Sequence, residues 1–383
     1  MMAFRRDAVT WLAYGMLGFF NYLLSGLGPL MPFLRQELHL SYTEASLHFS
    51  AFALGMILAG VFGDRVVARW GRWRTFWSGA AGLSLGAIAL TLARHPVLTI
   101  GSVLLMGSIG SLALVLIPAI LADRHGPNRA LAIVEANILS AATGAMAGIV
   151  LGAGENSALG WRGAFLTALI VPVFLAIRYG RVPLPVPPRQ EIPTRQGRGQ
   201  LPAAFWAYWV TIVLSVGVEF SLIFWGADFL VASGLSAAAA ATTVSLFLWG
   251  MVVGRIAGRQ IAQRIATERL LPVSLAVSAI GFFIYWLAPV AVLAVVGLFI
   301  AGFGVANLFP ITSALALGAA PGLSTEAGAR LSLASGIAIL TAPLLLGSLA
   351  NAVGIWLAYA IVPVLLLGAF VGSWTGRRLS KQE

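Results

Sequence analysis

The sequence predicts an all-α membrane protein with twelve transmembrane helices, arranged as two pseudo-symmetric six-helix bundles with both termini cytoplasmic. Three observations predict the membrane helices and their orientation, and an internal repeat divides them into two halves. The 383 residues are 59% hydrophobic and only 10% charged, with a mean hydropathy of +0.92; soluble domains carry about 25% charged residues. The apolar residues fall into about a dozen runs of ~20, enough to cross a bilayer. The basic residues fall between those runs in an alternating pattern.

The first six runs lie at roughly 8–33, 44–63, 75–93, 97–122, 130–153 and 162–180, and the second six at roughly 203–230, 237–258, 270–287, 290–317, 329–350 and 354–375. The first follows Arg5 and Arg6. It is longer than the ~7–15 apolar residues of a signal peptide and reads as a retained helix. The longest polar break opens with RVPLPVPPRQEIPTRQGRGQ, rich in Pro, Arg and Gln. Such a segment cannot build a core and reads as a cytoplasmic linker. The expected organisation is therefore a bundle over 1–180, a linker over 181–202 and a second bundle over 203–383.

Charge sets the topology. With both termini inside, only Arg35, Arg94 and Arg162 of the 24 basic residues fall outside. An asymmetry this strong follows the positive-inside rule and supports the number of spans. It also explains the net charge of +11 without nucleic acid, since the positive residues sit in short loops near anionic headgroups. The absence of cysteine excludes disulfides, thiolate catalysis and Cys-ligated metals. No cluster has metal-ligand spacing, no nucleophilic constellation or phosphate-cradling loop stands out, and no cofactor is expected. Trp11, Trp70, Trp73, Trp161, Trp206 and Trp374 fall near predicted helix ends and read as interfacial anchors.

The halves repeat. Gly55, Met56, Gly63 and Arg69 match Gly250, Met251, Gly258 and Arg264 at one constant offset of ~195 residues, which Gly107 and Gly302 share. Duplicated six-helix halves are a recurring transporter plan. Twelve spans, a central linker and G-x-x-x-D-R followed by G-R after the second span resemble the major facilitator superfamily. The signature maps onto Gly60, Asp64, Arg65, Gly71 and Arg72, with Val66 to Trp70 as extra residues between its two parts. The fifth run, ILSAATGAMAGIVLG, lacks the proline of the drug-antiporter branch, and the fourth lacks that branch's arginine. The stretch Gly302 to Pro310, GFGVANLFP, is more similar to sugar and organic-solute porters.

Ionisable residues inside a membrane are costly and usually functional. Glu219, near the middle of the seventh run, is the leading candidate for proton coupling; a structural hydrogen bond is the alternative. Asp228, nearer the end of that run, reads as a solvated rim residue, since a short reach brings it to water. Trp225, between the two acids, either stacks on substrate or packs against a neighbour. Asn21, Tyr22 and Asn307 fall mid-span and offer uncharged hydrogen-bonding groups to a solute, or join helices. The resemblance places the fifth helix against the eighth and the second against the eleventh. It thereby makes Glu135–Arg255 and Asp64–Arg330 candidate cytoplasmic gate pairs.

The function expected is secondary active transport of a small organic solute by alternating access, coupled to protons in symport. The alternatives are proton-coupled efflux of lipophilic or cationic compounds and a non-transporting receptor on the same fold. No enzymatic activity is expected. The expected partners are a small-molecule substrate, protons and membrane lipid, with no nucleic acid. The expected location is the inner membrane, and the resemblance implies a monomer.

Overall fold

The protein is described here by a computed structural model covering residues 4–155, 157–185, 200–262, 264–265, 267–321 and 323–382. Most of the expected linker lies outside these residues. Among the described residues the long elements are all helical, and eleven helices are long and apolar enough to cross a membrane. Many large apolar side chains are exposed, including Ile177 at 83%, Leu92 at 72% and Val292 at 70%. A surface of that kind is at home in hydrocarbon, not water.

The chain forms two compact units. The first comprises Met1–Leu40, Leu47–Glu191 and Ala237–Ser245. Helix α1 (Ala8–Leu38) starts at a capping box in which Asp7 accepts from the Thr10 amide at 2.9 Å. Such caps stabilise by about 1 kcal/mol. Pro29 and Pro32 lie inside its second half, and it ends on His39 in the left-handed region. Helix α3 (Pro96–His125) and helix α4 (Arg129–Gly154) follow. Helices α1 and α4 meet through small and polar residues. Gly18 abuts Thr143, whose hydroxyl donates to the Gly18 carbonyl at 3.0 Å. Asn21 donates to the Ser140 carbonyl at 2.7 Å. Small residues let backbones approach, and polar groups join helices where water is absent. Helices α5 (Gly160–Leu166) and α6 (Ile170–Tyr179) share one apolar stretch around a short 3-10 turn.

Helix α2 (Tyr42–Leu92) is 51 residues long, roughly 75 Å if straight. It is not straight. Gly71 has φ 77° and ψ 162°, a combination essentially restricted to glycine. On one side of it Gly55 lies against Gly107 and Ser108, and Gly63 against Val115. On the other side Gly79 lies against Ala113 and Gly86 against Met106. The first arm therefore runs parallel to α3 and the second antiparallel, so the chain reverses at Gly71.

The second unit comprises Ser41–Ser46, Ile192–Ser236 and Leu246–Glu383. It contains α7 (Ala203–Ala232), most of α8 (Ala237–Ala262), α9 (Thr267–Trp286), α10 (Ala291–Val305), α11 (Leu308–Gly318), α12 (Ser324–Val353), α13 (Ile355–Ala358) and α14 (Ile361–Leu379). Helices α10 and α11 belong to one apolar span, Ala291–Gly318, interrupted at Ala306 and Asn307. Helix α14 packs on α7 with Gly376 on the Tyr208 ring and Gly372 on Thr211. Helix α9 runs antiparallel to α10, pairing Gly281 with Ala301 and Ser278 with Gly304. The first turns of α8 belong to the first unit, where Gly148 of α4 rests on the Ala241 carbonyl.

The repeat has a physical counterpart. Gly107 of α3 packs on the carbonyl of Phe52, and Gly302 of α10 packs on the carbonyl of Phe247. Each residue of the second pair is displaced from its counterpart by the same ~195 positions.

Candidate functional site

Helix α7 turns its exposed side chains, Trp206 at 42% and Val210 at 45%, to one face. Glu219 lies on the opposite face, on the stripe of Ile212, Ser215 and Leu222, none more than 1% exposed. It is part-buried. Among the described residues it makes no hydrogen bond and no ion pair. Helix α8 shows the same division. Val253 and Ile256 are exposed at 42% and 47%, while Leu248 and Met251 are buried. Arg255 shares the Leu248 and Met251 face and is also part-buried. Gly254 and Gly258 hold α8 tightly to Phe303 and Asn307. Among the described residues Glu219 and Arg255 are not bonded to each other. Both belong to the second unit, and among the described residues neither makes a direct ion pair.

The other sequence candidates have distinct surroundings. Trp225 is 0% exposed, and its indole donates to the Pro343 carbonyl at 2.8 Å, tying α7 to α12. Asn307 stands at the interruption between α10 and α11 and donates to the Gly254 carbonyl at 2.8 Å. Asn21 is the α1–α4 join already described. Tyr22 turns its hydroxyl toward Thr167 but makes no well-formed hydrogen bond. Asp228 is 3% exposed, beside buried Tyr285 and Tyr359. It is therefore not a solvated rim residue: aromatic packing of Phe229 on both tyrosines, at 4.9 and 4.7 Å, closes over the end of α7.

Glu135 accepts from Arg6 through two nitrogens, at 2.8 and 2.7 Å, and from the Tyr14 hydroxyl at 3.2 Å. Next to this, Arg124 donates to Asp7, and the Thr10 hydroxyl meets both Asp7 and His125 at 2.8 Å. Partial burial pushes the Asp7 carboxyl up, but the Thr10 hydrogen bonds and the Arg124 charge outweigh it and hold Asp7 below the ordinary range. Asp64 and Arg330 are both exposed, each in its own unit. Glu135 and Arg255 likewise belong to different units.

In the signature loop, Arg72 donates to Asp123 at 2.6 Å and to the Pro185 carbonyl at 2.7 Å. Asp123, Arg6 and Tyr14 were not singled out by sequence. Asp123 stands just past the fourth run and Arg6 before the first, and no spacing connects either to its partner. Glu37, also missed, gathers Arg94 at 2.8 Å and Arg162 at 2.5 Å, two of the three basic residues set apart by charge alternation. Trp161 belongs to this cluster: it is 7% exposed and donates to Glu37 at 3.3 Å, so it is a packed residue and not an interfacial anchor. Among the described residues no group of His, Asp and Glu could hold a metal ion.

The chain resembles known transporters along its length. The family model of the Major Facilitator Superfamily matches residues 10–324. An uncharacterized MFS-type transporter of Yersinia pestis is 27% identical over 367 residues, covering 90% of this chain and 91% of the relative. Among solved structures, a bacterial homolog of the human lysosomal transporter Spinster, inward-facing and unoccupied, superposes with a TM-score of 0.75 at 16% identity, covering 99% of both chains. A D-xylose-proton symporter superposes with a TM-score of 0.72 at 16% identity, covering 95% of this chain and 96% of that one. The nucleoside transporter NupG gives 0.72 at 15% identity, covering 97% and 98%. With the family model covering most of the chain and the fold matching end to end, the protein belongs to the Major Facilitator Superfamily and is a multi-pass membrane transporter.

Proposed function

We propose that the protein is a secondary active transporter that moves a small organic solute by alternating access, in symport with protons, and that Glu219 carries the proton. The observation that carries this reading is the situation of Glu219. It is a carboxylate on the inward stripe of a membrane helix, without a hydrogen bond among the described residues. An ionised group at the centre of such a helix costs about 2.5–3.5 kcal/mol on insertion scales. A purely structural acid would recover that cost through fixed hydrogen bonds. Glu219 instead has no fixed partner among the described residues, so it is free to take up and give back a proton, and that is the requirement for a coupling group.

The same reading counts the two arms of α2 as separate spans. This gives twelve helices, bundles over 1–180 and 203–383 joined by the 181–202 linker, both termini cytoplasmic, and residence in the inner membrane. Of the four solute-contact candidates, Tyr22 keeps that role, because its hydroxyl is not committed to a fixed partner. Asn21, Trp225 and Asn307 act by holding the helices that shape the site. Asp64–Arg330 and Glu135–Arg255 remain our gate pairs. Arg6 is then the partner of Glu135 in one state and Arg255 in the other. Efflux of cations drew its support from an aromatic beside an acid, and the fully buried, hydrogen-bonded Trp225 weakens it.

The test is solute uptake into proteoliposomes under an imposed pH gradient, wild type against Glu219→Gln, over sugars, carboxylates, nucleosides and lipophilic cations. Gradient-dependent accumulation that Glu219→Gln loses while keeping exchange is the expected result. Equal accumulation by both proteins removes Glu219 from the coupling mechanism.

A further inference from the structure

We propose that a cleft at one end of the second unit, between α7, α9, α11 and α14, binds the headgroup of an aminophospholipid, with Arg377 taking the phosphate and Glu268 the ammonium. The proposal is independent of the solute and of proton coupling. The proposed orientation enters only in placing the lipid in the cytoplasmic leaflet.

The cleft lies where helices end. Tyr208 is in the second turn of α7, Glu268 in the first turn of α9, and Trp374 and Arg377 in the last two turns of α14. With Pro272 and Phe370 these side chains line a space of about 130 Å³, where a single water needs roughly 10–15 Å³. One side of the lining is open and apolar: Phe370 is 47% exposed and Trp374 48%. Aromatic side chains at the end of a membrane helix sit at the level of the lipid headgroups. The other side is buried and polar. Tyr208 is 2% exposed, and its hydroxyl turns toward Ser380 without a well-formed hydrogen bond. Gly376 rests on the Tyr208 ring, where a Cβ would come within 2.9 Å. That close approach of α14 lets Arg377 share the cleft with the phenol.

Two opposite charges line this space, and neither is answered by the protein. Among the described residues neither Glu268 nor Arg377 makes an ion pair or a side-chain hydrogen bond. The neighbouring Arg378 is engaged, with its guanidinium 3.6 Å from the centroid of the Trp374 ring. A ligand that joins one anion to one cation leaves the cleft neutral. The phosphodiester and primary ammonium of an aminophospholipid are such a pair. A guanidinium can hold two phosphate oxygens at once, and the Tyr208 phenol supplies a further donor. An ammonium brings three N–H donors for the Glu268 carboxylate. The trimethylated nitrogen of a choline lipid has none, and a glycerol headgroup sets no positive charge against Glu268.

The internal repeat shows that helix packing alone does not require this opening. Gly86 lies against Met106 in the first unit and Gly281 against Ala301 in the second, again displaced by ~195 positions. On that offset Glu268 and Pro272 stand where the first unit has Trp73 and Trp77. There the two indoles lie with centroids 6.4 Å apart, and Trp73 donates to the Gly180 carbonyl at 3.1 Å. The second unit carries a carboxylate and a proline in place of two of the bulkiest side chains.

The experiment uses the full chain, purified in detergent and stripped of lipid. The probes are dioleoyl phosphatidylethanolamine, phosphatidylcholine and phosphatidylglycerol, titrated singly and read as bound adducts by native mass spectrometry. We expect the ethanolamine lipid to bind about tenfold more tightly than either of the others. Soluble glycerophosphoethanolamine, the same headgroup without acyl chains, should not displace it at equal concentration. Glu268→Gln should keep binding but accept phosphatidylglycerol as well as phosphatidylethanolamine. Arg377→Gln should lose the preference, and Arg377→Lys should keep part of it. Pro272→Trp, which places the first unit's residue in the cleft, should block binding with the thermal midpoint held. Trp73→Ala, in the first unit, should leave the preference unchanged. Equal binding of the three lipids by the wild type overturns the proposal, as does a wild-type preference in both Arg377→Gln and Pro272→Trp. Displacement by glycerophosphoethanolamine at equal concentration assigns the cleft to a soluble zwitterion and overturns the lipid. Loss of the preference in Trp73→Ala moves the lipid to the first unit and overturns the site.

Discussion

Arg6, in the segment before the first membrane helix, closes a two-point contact with Glu135 of α4, through Nε at 2.8 Å and Nη2 at 2.7 Å. Tyr14 adds a third bond to the same carboxylate. The Arg6 side chain is about half exposed, at 49%, so the contact orders the N-terminal segment more than it stabilises the bundle. Arg6→Ala and Glu135→Gln should each raise the labelling rate of a cysteine placed at Arg5, while moving the thermal midpoint by no more than roughly 2 °C. The chain has no cysteine of its own, so a single introduced thiol reports without background. Unchanged labelling in both variants refutes the ordering role.

The Gly302–Phe247 and Gly107–Phe52 contacts predict matched sensitivities. A Cβ at Gly302 would fall 2.0 Å from the Phe247 carbonyl oxygen, and one at Gly107 would fall 2.3 Å from that of Phe52. Both neighbours are backbone and cannot rotate away. Gly302→Ala and Gly107→Ala should each cost about 1–3 kcal/mol, the range for overpacking. Gly60→Ala meets open space and should be neutral. Thermal unfolding of the purified proteins in detergent measures all three, and equal midpoints across the set would refute the close approach.

Gly71 tests backbone strain apart from packing. Nothing lies within 4 Å of a Cβ built there, yet its φ is 77°. Gly71→Ala should therefore destabilise by about 1–3 kcal/mol through the backbone alone. Arg72→Ala should act on the same turn by releasing Asp123 and the Pro185 carbonyl. The double variant should fall short of the sum of the two, because both loosen one turn.

Asp7 sets an acid limit on the N-terminal network. Its folded carboxyl titrates below the unfolded value of about 3.9, because the Thr10 bonds and Arg124 favour the ionised form. The sign follows: this stability is fully present above the unfolded value and is lost as pH falls through the folded one. Asp7→Asn should flatten the decline of the thermal midpoint between about pH 4 and pH 2, leaving neutral pH little changed. A decline as steep as that of the wild type would exclude Asp7 from it.

Topology is testable with the same thiol chemistry. Ser157 and Ser380 are exposed, and the charge alternation puts them on opposite sides. In intact cells Ser157→Cys should react with an impermeant maleimide, and Ser380→Cys only after lysis. The reverse pattern would invert the proposed orientation, and reaction of both would refute the even number of spans.

Much of the fold is legible because lipid imposes it. Runs of ~20 apolar residues and the sorting of arginines mark the helices without any knowledge of packing. The offset shared by Gly107 and Gly302 was visible as a pattern, and its cause, each glycine seated on a phenylalanine carbonyl, is three-dimensional. The site was legible only in part. Glu219 stands out because a mid-span acid is rare. Its place on the buried stripe of Ile212, Ser215 and Leu222 depends on which face α7 turns inward, which the apolar run alone does not fix. Glu135–Arg6, Asp123–Arg72 and Glu37–Arg162 join residues far apart in the chain. Asp228 and Trp161 read as wet or interfacial from their places along a span, and tertiary packing buries both.

The reversal of α2 at Gly71 bears on how the chain first enters the membrane. Its two arms are joined by a single non-helical residue, so they leave the ribosome almost together and can partition as one hairpin. Arg65, Arg69, Arg72 and Arg74 crowd the bend, and in the proposed orientation they keep that end on the side where synthesis occurs. A helix pair inserted in this way presents its glycine faces at once, and α3, next out of the ribosome, finds a groove already formed against which to dock.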